Sequence, residues 1–471
     1  MAAMNAAMLD APATEIAAAV RSGALRSEDH VTALLARIRE RNPRFNAYIE
    51  TTEQRALDEA RRVDRMVAQG RDPGALAGVP FAVKNLFDVS GMATLAGSKI
   101  NRDRPAAKAD ACLVARLVDA GAVLVGTLNM DEYAYGFTTE NTHYGATRNP
   151  HDPERSAGGS SGGSGAAVAA GLATFTLGSD TNGSIRVPSA HCGVFGLKPT
   201  FGRLPRSGSY PFVASLDHLG PLGRSATDLA AIYDAMQGHD PHDPACRPGP
   251  VEPVSKELDR GIDGLRIARA VGYFERNAQP RIVECVAQAA HALGVRASAD
   301  LAEVEQARAA AYVITAVEGA ELHARDLRER PCDFEPHIRD RMRANALLPA
   351  QWYVRAQRFR SRFHRQLLSL FQDVDVLLAP STPWCATLLG QESVNLNGRD
   401  LPTRPSTGLL TQPISFVGLP VAAVPVGRVD GLPVGMQIIA APWREDLCLR
   451  VARALEEAGI AQCSTAPWSM E

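Results

Sequence analysis

The chain has 471 residues, 45% of them hydrophobic and 22% charged, and its 50 basic and 52 acidic side chains leave a formal net charge of −2. This is the composition of a globular protein with a large core, long enough for two or three domains of about 150 residues or one large α/β domain. Near-neutral charge excludes a whole-molecule field that would gather nucleic acid, so a charged ligand has to be held by local side chains.

Residues 1–12 carry neither the basic nor the apolar region of a signal peptide. No uninterrupted run of about 18 apolar residues suggests a membrane span. The 8 cysteines are dispersed without a CxxC pair, as suits a reducing cytoplasm. The first seventy residues read as helices. Ser27 is the expected N-cap of one of them, with Glu28 and Asp29 in its first turn and Val31, Leu34, Leu35 and Ile38 on one face. Gly78-Val79-Pro80 then leads into a short buried strand, Phe81-Ala82-Val83, which delivers Lys84. Asp110 is expected to cap a helix bearing Leu113, Val114, Leu117 and Val118, ended by Gly121 and followed by a strand over residues 122–125.

Between Gly158 and Gly208 lie 12 of the 39 glycines, a density expected where backbone turns tightly or approaches a ligand. Further on, His239, Asp240, His242, Asp243 and Cys246 sit in a Pro-punctuated connection without metal-ligand spacing, which reads as a solvated loop. From there to about residue 370 the chain reads as mainly helical, with Phe359, Phe363, Leu367 and Leu370 on one face. Arg355, Arg358, Arg360, Arg362 and Arg365 read as a solvated or partner-facing run. Strands resume over residues 374–378 and 421–426. Helices alternating with apolar strands predict an α/β layered sheet. The expected organisation is a single domain, 1–471, with N-terminal helices (1–70), a core (71–230), a mainly helical insertion (231–370) and a C-terminal completion of the core (371–471).

The stretch Gly158-Gly-Ser160-Ser-Gly-Gly-Ser-Gly165 runs straight into the apolar residues 166–170, so it reads as a helix entry and not as a linker. Gly158, Ser160 and Gly162 fit the nucleophile-elbow pattern G-x-S-x-G, which a glycine run satisfies cheaply. The dinucleotide fingerprint fails at Val168. A second element, Gly178-Ser-Asp180-Thr-Asn-Gly183-Ser184-Ile-Arg186-Val-Pro188, brings another glycine-flanked serine 24 positions after Ser160. Two such serines, a lysine at a strand end and small residues that leave amides free for an oxyanion together point to acyl transfer.

GGSSGGSGAA followed by GSDTNGSIRVPSAHCGVFGLKPTFGRLPRSG resembles the amidase signature family, and the likeness runs over residues 12–224 and 373–454. The resemblance implies an α/β amidase signature fold, a mixed sheet between helical layers, and an amidohydrolase that needs no metal or cofactor. It implies Ser184 as nucleophile, Ser160 as bridging serine and Lys84 as base, with the amides of Thr181, Asn182, Gly183 and Ser184 as the oxyanion hole. A free lysine would need about 4 kcal/mol to be neutral near pH 7.5. A buried strand position facing hydroxyls and not carboxylates is expected to lower that cost by desolvation.

Within the family, residues 129–153 also look like the glutamine-hydrolysing component of tRNA-dependent amidotransferases, which releases ammonia from glutamine. In that component an arginine takes the substrate carboxylate, and Arg341 matches it. An acidic residue takes the ammonium, and Gly408 stands at that position. A buried ammonium without a carboxylate is costly, which argues against glutamine. The blocks KNLFDVSGMATLAGSKI, FTTENTHYGATRNPHD, GSYPFVASLDHLGPL and WYVRAQRFR are similar to the catalytic subunits of biuret-pathway hydrolases. That likeness implies a small anionic ureide of the 1-carboxybiuret type, with Arg341 on its carboxylate and Tyr135 and Gln412 on its ureido groups. It also implies a small accessory subunit, homodimerisation into a heteromer, a cytoplasmic location, and no direct contact with nucleic acid or membrane. The alternatives are the glutamine-hydrolysing component of an amidotransferase and an amidase for oxalurate-like ureides.

Overall fold

The apolar runs of the sequence meet in one mixed sheet. In the computed structural model, which describes residues 8–463, its eleven strands are β1 (Tyr48–Thr51), β2 (Pro80–Lys84), β3 (Val123–Leu128), β4 (Phe175–Asp180), β5 (Phe195–Lys198), β6 (His218–Gly223), β7 (Ile267–Ala270), β8 (Ala297–Ala299), β9 (Val376–Pro380), β10 (Val421–Val429) and β11 (Leu432–Ala440). Their order across the sheet is β1-β3-β2-β4-β6-β5-β10-β11-β9-β7-β8. β2 runs parallel to both β3 and β4, and the hairpin β10–β11 joins the two halves through antiparallel pairings with β5 and β9. Every residue of β2, β3 and β4 is buried. Such strands read as continuous apolar runs because helices cover both faces.

The helices Gly162–Ala169 and Arg186–Cys192 are buried along their whole length and pack on each other, on β4 and on β11. Small residues permit that approach. At Gly163 a Cβ would lie 2.5 Å from the carbonyl oxygen of Asn129 and 2.6 Å from that of Ala47, so the glycine run is a packing surface as well as a turn. The main apolar cluster extends from Ala13 to Ala461. A second joins Val31, Leu34, Leu35 and Ile38 to Val123 and Val168.

Several local expectations yield to partners distant in sequence. Ser27 is the first residue of the helix Ser27–Phe45 and its hydroxyl has no partner, because Asp64 of the helix Glu53–Ala68 accepts from the amides of Ser27 at 2.7 Å and Glu28 at 3.1 Å. Asp110 does not cap the helix Cys112–Asp119 but holds the Arg55 guanidinium through bonds of 2.7 and 2.6 Å. The stretch 231–370 carries the expected helices, among them Val304–Leu322, Pro336–Asn345 and Ala350–Asp373. It also contributes β7 and β8, parallel extensions of the sheet beyond β9. These strands are short and alanine-rich, so no apolar alternation announces them.

The connection around residue 240 keeps His239 and His242 in solvent, as a solvated loop requires, but is anchored on its inner side. Asp240, Asp243 and Cys246 are buried, and Asp243 pairs with Arg206 at 3.0 Å. Among the described residues no cluster of His, Cys, Asp or Glu could hold a metal. Arg355, Arg358, Arg362 and Arg365 lie on the outer side of their helix, whereas Arg360 turns inward to the carbonyls of Phe416 at 2.6 Å and Ser215 at 2.8 Å. No described helix is long and apolar enough to cross a membrane.

Candidate active site

Because β2 and β4 are parallel neighbours with Val83 opposite Leu177, their carboxyl ends share one edge of the sheet and Lys84 emerges beside Ser179. Open sheets receive ligands at that edge. Lys84 Nζ donates to Ser179 Oγ at 2.9 Å and to Ser160 Oγ at 2.7 Å. Ser160 is delivered by the glycine turn ahead of the helix Gly162–Ala169, and its carbonyl accepts from the Asp131 amide at 3.2 Å. Lys84 is fully buried, and this desolvation lowers its amine from 10.5 to about 7. Contrary to expectation carboxylates do act on it. Asp131, Asp180 and Asp217 pull its pKa upward, but burial outweighs them and no ion pair to Lys84 forms among the described residues. Burial likewise raises the Asp131 carboxyl, whose Oδ2 has no hydrogen-bond partner.

The turn after β4 is fixed by a buried ion pair that the sequence reading passed over. Asp180 meets Arg186 through contacts of 2.9 Å to Nε and 2.9 Å to Nη2, and both side chains are 0% exposed. Arg186 Nη1 continues to the carbonyl of Thr411 at 3.1 Å and to Gln437 Oε1 at 2.6 Å, and Ser415 Oγ closes the cluster. Burial alone would raise the Asp180 carboxyl, but the guanidinium holds it well below the usual carboxylate range. Thr411 Oγ1 donates to the carbonyl of Asn182 at 2.7 Å, and Thr181 Oγ1 to Asp217 Oδ1 at 2.6 Å.

The amides of Thr181, Asn182 and Ser184 find no acceptor among the described residues, whereas the Gly183 amide donates to Asp180 Oδ1 at 2.7 Å. Three of the four amides expected for an oxyanion hole are therefore free, and Gly183 instead serves the turn. Its φ is +137°, and a Cβ there would run into Thr411 Oγ1.

Thr181, Asn182 and Ser184 form one wall of a narrow cavity, with Tyr135, Phe137, Phe212, Arg341, Arg404 and Gln412 among its other lining residues. The Ser184 hydroxyl makes no hydrogen bond to Ser160 or to any other described residue. Arg341 stacks on the Tyr135 ring at 3.7 Å, donates to the Tyr135 carbonyl at 3.4 Å, and has no carboxylate partner among the described residues. The Tyr135 hydroxyl accepts from Asn345 Nδ2 at 2.8 Å and keeps its own proton to donate, while its ring is a platform for Arg341. Gln412 Oε1 accepts from Arg308 Nε at 2.9 Å. Arg404, absent from the sequence reading, meets Glu140 at 3.3 Å. At Gly408 a Cβ would run into the Phe137 ring, which occupies the space beside that position. Nothing local in the sequence marks Arg308 or Arg404; Ser179 alone had a signal, its place beside Asp180 at the end of a buried strand.

A buried lysine bonded to Ser160, and a second serine with free amides on the wall of a cavity, agree with a family match that spans residues 29–449, the Amidase family. The chain belongs to the amidase signature family. It is 54% identical over 450 residues to AtzE, a component of the 1-carboxybiuret hydrolase of Pseudomonas sp. (strain ADP), covering 95% of this chain and 98% of that protein. It is 37% identical over 460 residues to the GatA-type component of the glutamyl-tRNA(Gln) amidotransferase of Moorella thermoacetica, covering 92% and 93%. A solved structure described as a vestigial protein complex that reveals the evolutionary origins of an s-triazine catabolic enzyme superposes with a TM-score of 0.95 at 54% identity, covering 96% of this chain and 100% of that one. The corresponding amidotransferase component from Thermotoga maritima superposes with a TM-score of 0.80 at 27% identity, covering 94% and 95%. The mixed sheet flanked by helices is thus the amidase signature fold, and this amidase hydrolyses amide bonds.

Proposed function

We propose that this amidase releases ammonia from a small anionic ureide, 1-carboxybiuret foremost, through Lys84, Ser160 and Ser184. The observation that carries the reading is Arg341, a guanidinium without a carboxylate partner in a cavity whose lining contains no acidic side chain. Such a wall attracts an anion and repels an ammonium. Glutamine fits it poorly, because the Phe137 ring fills the space beside Gly408 where a carboxylate for the ammonium would have to stand. The identity to the carboxybiuret hydrolase component supports the same choice.

In this mechanism the neutral Lys84 amine accepts the Ser160 proton across their 2.7 Å contact while Ser160 accepts the proton of Ser184. Ser184 Oγ attacks the terminal amide carbon. The oxyanion that forms accepts from the free amides of Thr181, Asn182 and Ser184. On collapse the relayed proton goes to the leaving nitrogen, ammonia departs, and an acyl group stays on Ser184. Water then attacks that ester, its proton taken by the same relay, and releases a carboxylate. Arg341 holds the substrate carboxylate, and the Tyr135 ring beneath keeps the guanidinium flat and partly desolvated, which strengthens the pair.

The chain is read as a single domain, since strands from its second half complete the sheet of the first. The vestigial complex supports a heteromeric arrangement with a partner protein; a homodimer carrying a small accessory subunit, in the cytoplasm, belongs to the same reading. The decisive assay is ammonia release from 1-carboxybiuret, biuret, allophanate, oxalurate, malonamate and glutamine. The reading expects the highest kcat/KM for 1-carboxybiuret, and a preference for glutamine overturns it.

A further inference from the structure

We propose that Arg308, which stands behind the cavity wall, is a positioning residue that makes Gln412 a hydrogen-bond donor and so selects amides with a carbonyl acceptor next to the bond that is cleaved. The inference rests on the ureide reading above and narrows it.

Arg308 comes from the helix Val304–Leu322 and makes two contacts: Nε to Gln412 Oε1 at 2.9 Å and Nη2 to the carbonyl of Pro405 at 3.1 Å. A guanidinium carries only donors, so the group of Gln412 that faces it has to be the amide oxygen. The amide NH2 is then left for the cavity, which Gln412 lines, and it has no partner among the described residues. Gln412 is held near the chemistry as well. Its neighbour Thr411 is bonded to the carbonyl of Asn182, in the turn that carries the free amides and Ser184. What the NH2 meets is therefore an acceptor close to the reacting carbonyl. A linear ureide offers one in its next carbonyl, whereas its N–H groups would be repelled. With its second bond Arg308 ties the Pro405 wall to Gln412, so loss of the guanidinium frees the amide to rotate.

The test compares four variants on the panel substrate that the unaltered enzyme turns over best, so a wrong choice of ureide shows in the unaltered enzyme and a wrong role for Arg308 shows in the variants. Gln412→Glu keeps the oxygen for Arg308 and removes the N–H; Gln412→Met removes both. Gln412→Met is expected to raise KM about tenfold, the worth of one buried hydrogen bond, and Gln412→Glu by more, because its carboxylate also repels the anionic substrate. Arg308→Met, with Gln412 free to flip, raises KM about fivefold with kcat within about twofold, and Arg308→Lys, which still donates to the same oxygen, stays within about twofold of the unaltered KM. A Gln412→Met variant with unaltered KM overturns the proposal, because no hydrogen bond from Gln412 to substrate would then be in use. So does an Arg308→Met variant that lowers kcat alone, or one indistinguishable from the unaltered enzyme.

Discussion

If Lys84 is the base, its amine has to work at neutral pH, and the structure sets how far burial moves it. Desolvation takes it from 10.5 to about 7. At pH 8 about nine-tenths of the amine is neutral and at pH 6 about one-eleventh, so kcat/KM for ammonia release is expected to fall about tenfold between them and to be flat above about pH 8. An amine left at 10.5 would be neutral in about one molecule in three hundred at pH 8, and activity would climb tenfold per unit up to about pH 10. The same shift appears in stability. Between about pH 7 and 10.5 the unfolded lysine holds its proton and the folded one does not, so the unfolded state binds more protons. Stability therefore falls as pH drops through that window and stays low below it, by about 5 kcal/mol in all. Lys84→Met removes that penalty and loses hydrogen bonds to Ser160 and Ser179, about 1 kcal/mol each. The inactive variant should thus be about 3 kcal/mol more stable than the unaltered enzyme at pH 6, an advantage that vanishes near pH 9 and becomes a deficit of about 1 kcal/mol near pH 10. Denaturant unfolding at these pH values measures it. A Lys84→Met protein that is less stable at pH 6, or a kcat/KM that keeps rising to pH 10, refutes the reasoning.

Arg341→Ala should lower kcat/KM for anionic amides by about a hundredfold, two charge-assisted hydrogen bonds, and change a neutral amide little; equal losses in a side-by-side ammonia assay remove its role. Arg186→Met leaves Asp180 buried without its counter-ion and should lower unfolding stability by about 3 to 5 kcal/mol, read by denaturant titration; a loss below about 1 kcal/mol means the ion pair does not hold the turn. Gly183→Ala drives a Cβ into Thr411 Oγ1 from a positive φ, so kcat should collapse with less effect on KM, measured by steady-state ammonia release. Gly408→Asp should be destabilised by the Phe137 ring, and Phe137→Ala in the same chain should relieve it; thermal midpoints of the single and double variants decide.

The features legible in the sequence are those written in neighbouring residues. The glycine run before an apolar helix and the buried strand ending in Lys84 can be read in order, and both stand where the pattern puts them. The supports of the site cannot be read this way. Arg186 draws on Thr411, Ser415 and Gln437, more than two hundred positions away, and no local pattern pairs them. Asp64 at the start of the Ser27–Phe45 helix shows the same principle: a serine in capping position is an offer, and a better-placed carboxylate on a neighbouring helix takes it. Arg308 and Arg404 illustrate the limit. Both sit in ordinary polar stretches, and their bearing on the cavity appears only when the helix Val304–Leu322 and the segment before Gln412 are folded against the signature core. Tyr135 lines the cavity, and the residue that orients its hydroxyl, Asn345, lies 210 positions on, where no local pattern pairs the two.

The most direct measurement of the central claim is a rapid acid quench of the enzyme during turnover of 1-carboxybiuret, followed by peptide mass analysis. The account predicts an acyl mass increment on Ser184, absent in Ser184→Ala and slow to form in Lys84→Met. An increment on Ser160, or steady turnover in a Ser184→Ala protein, would contradict it.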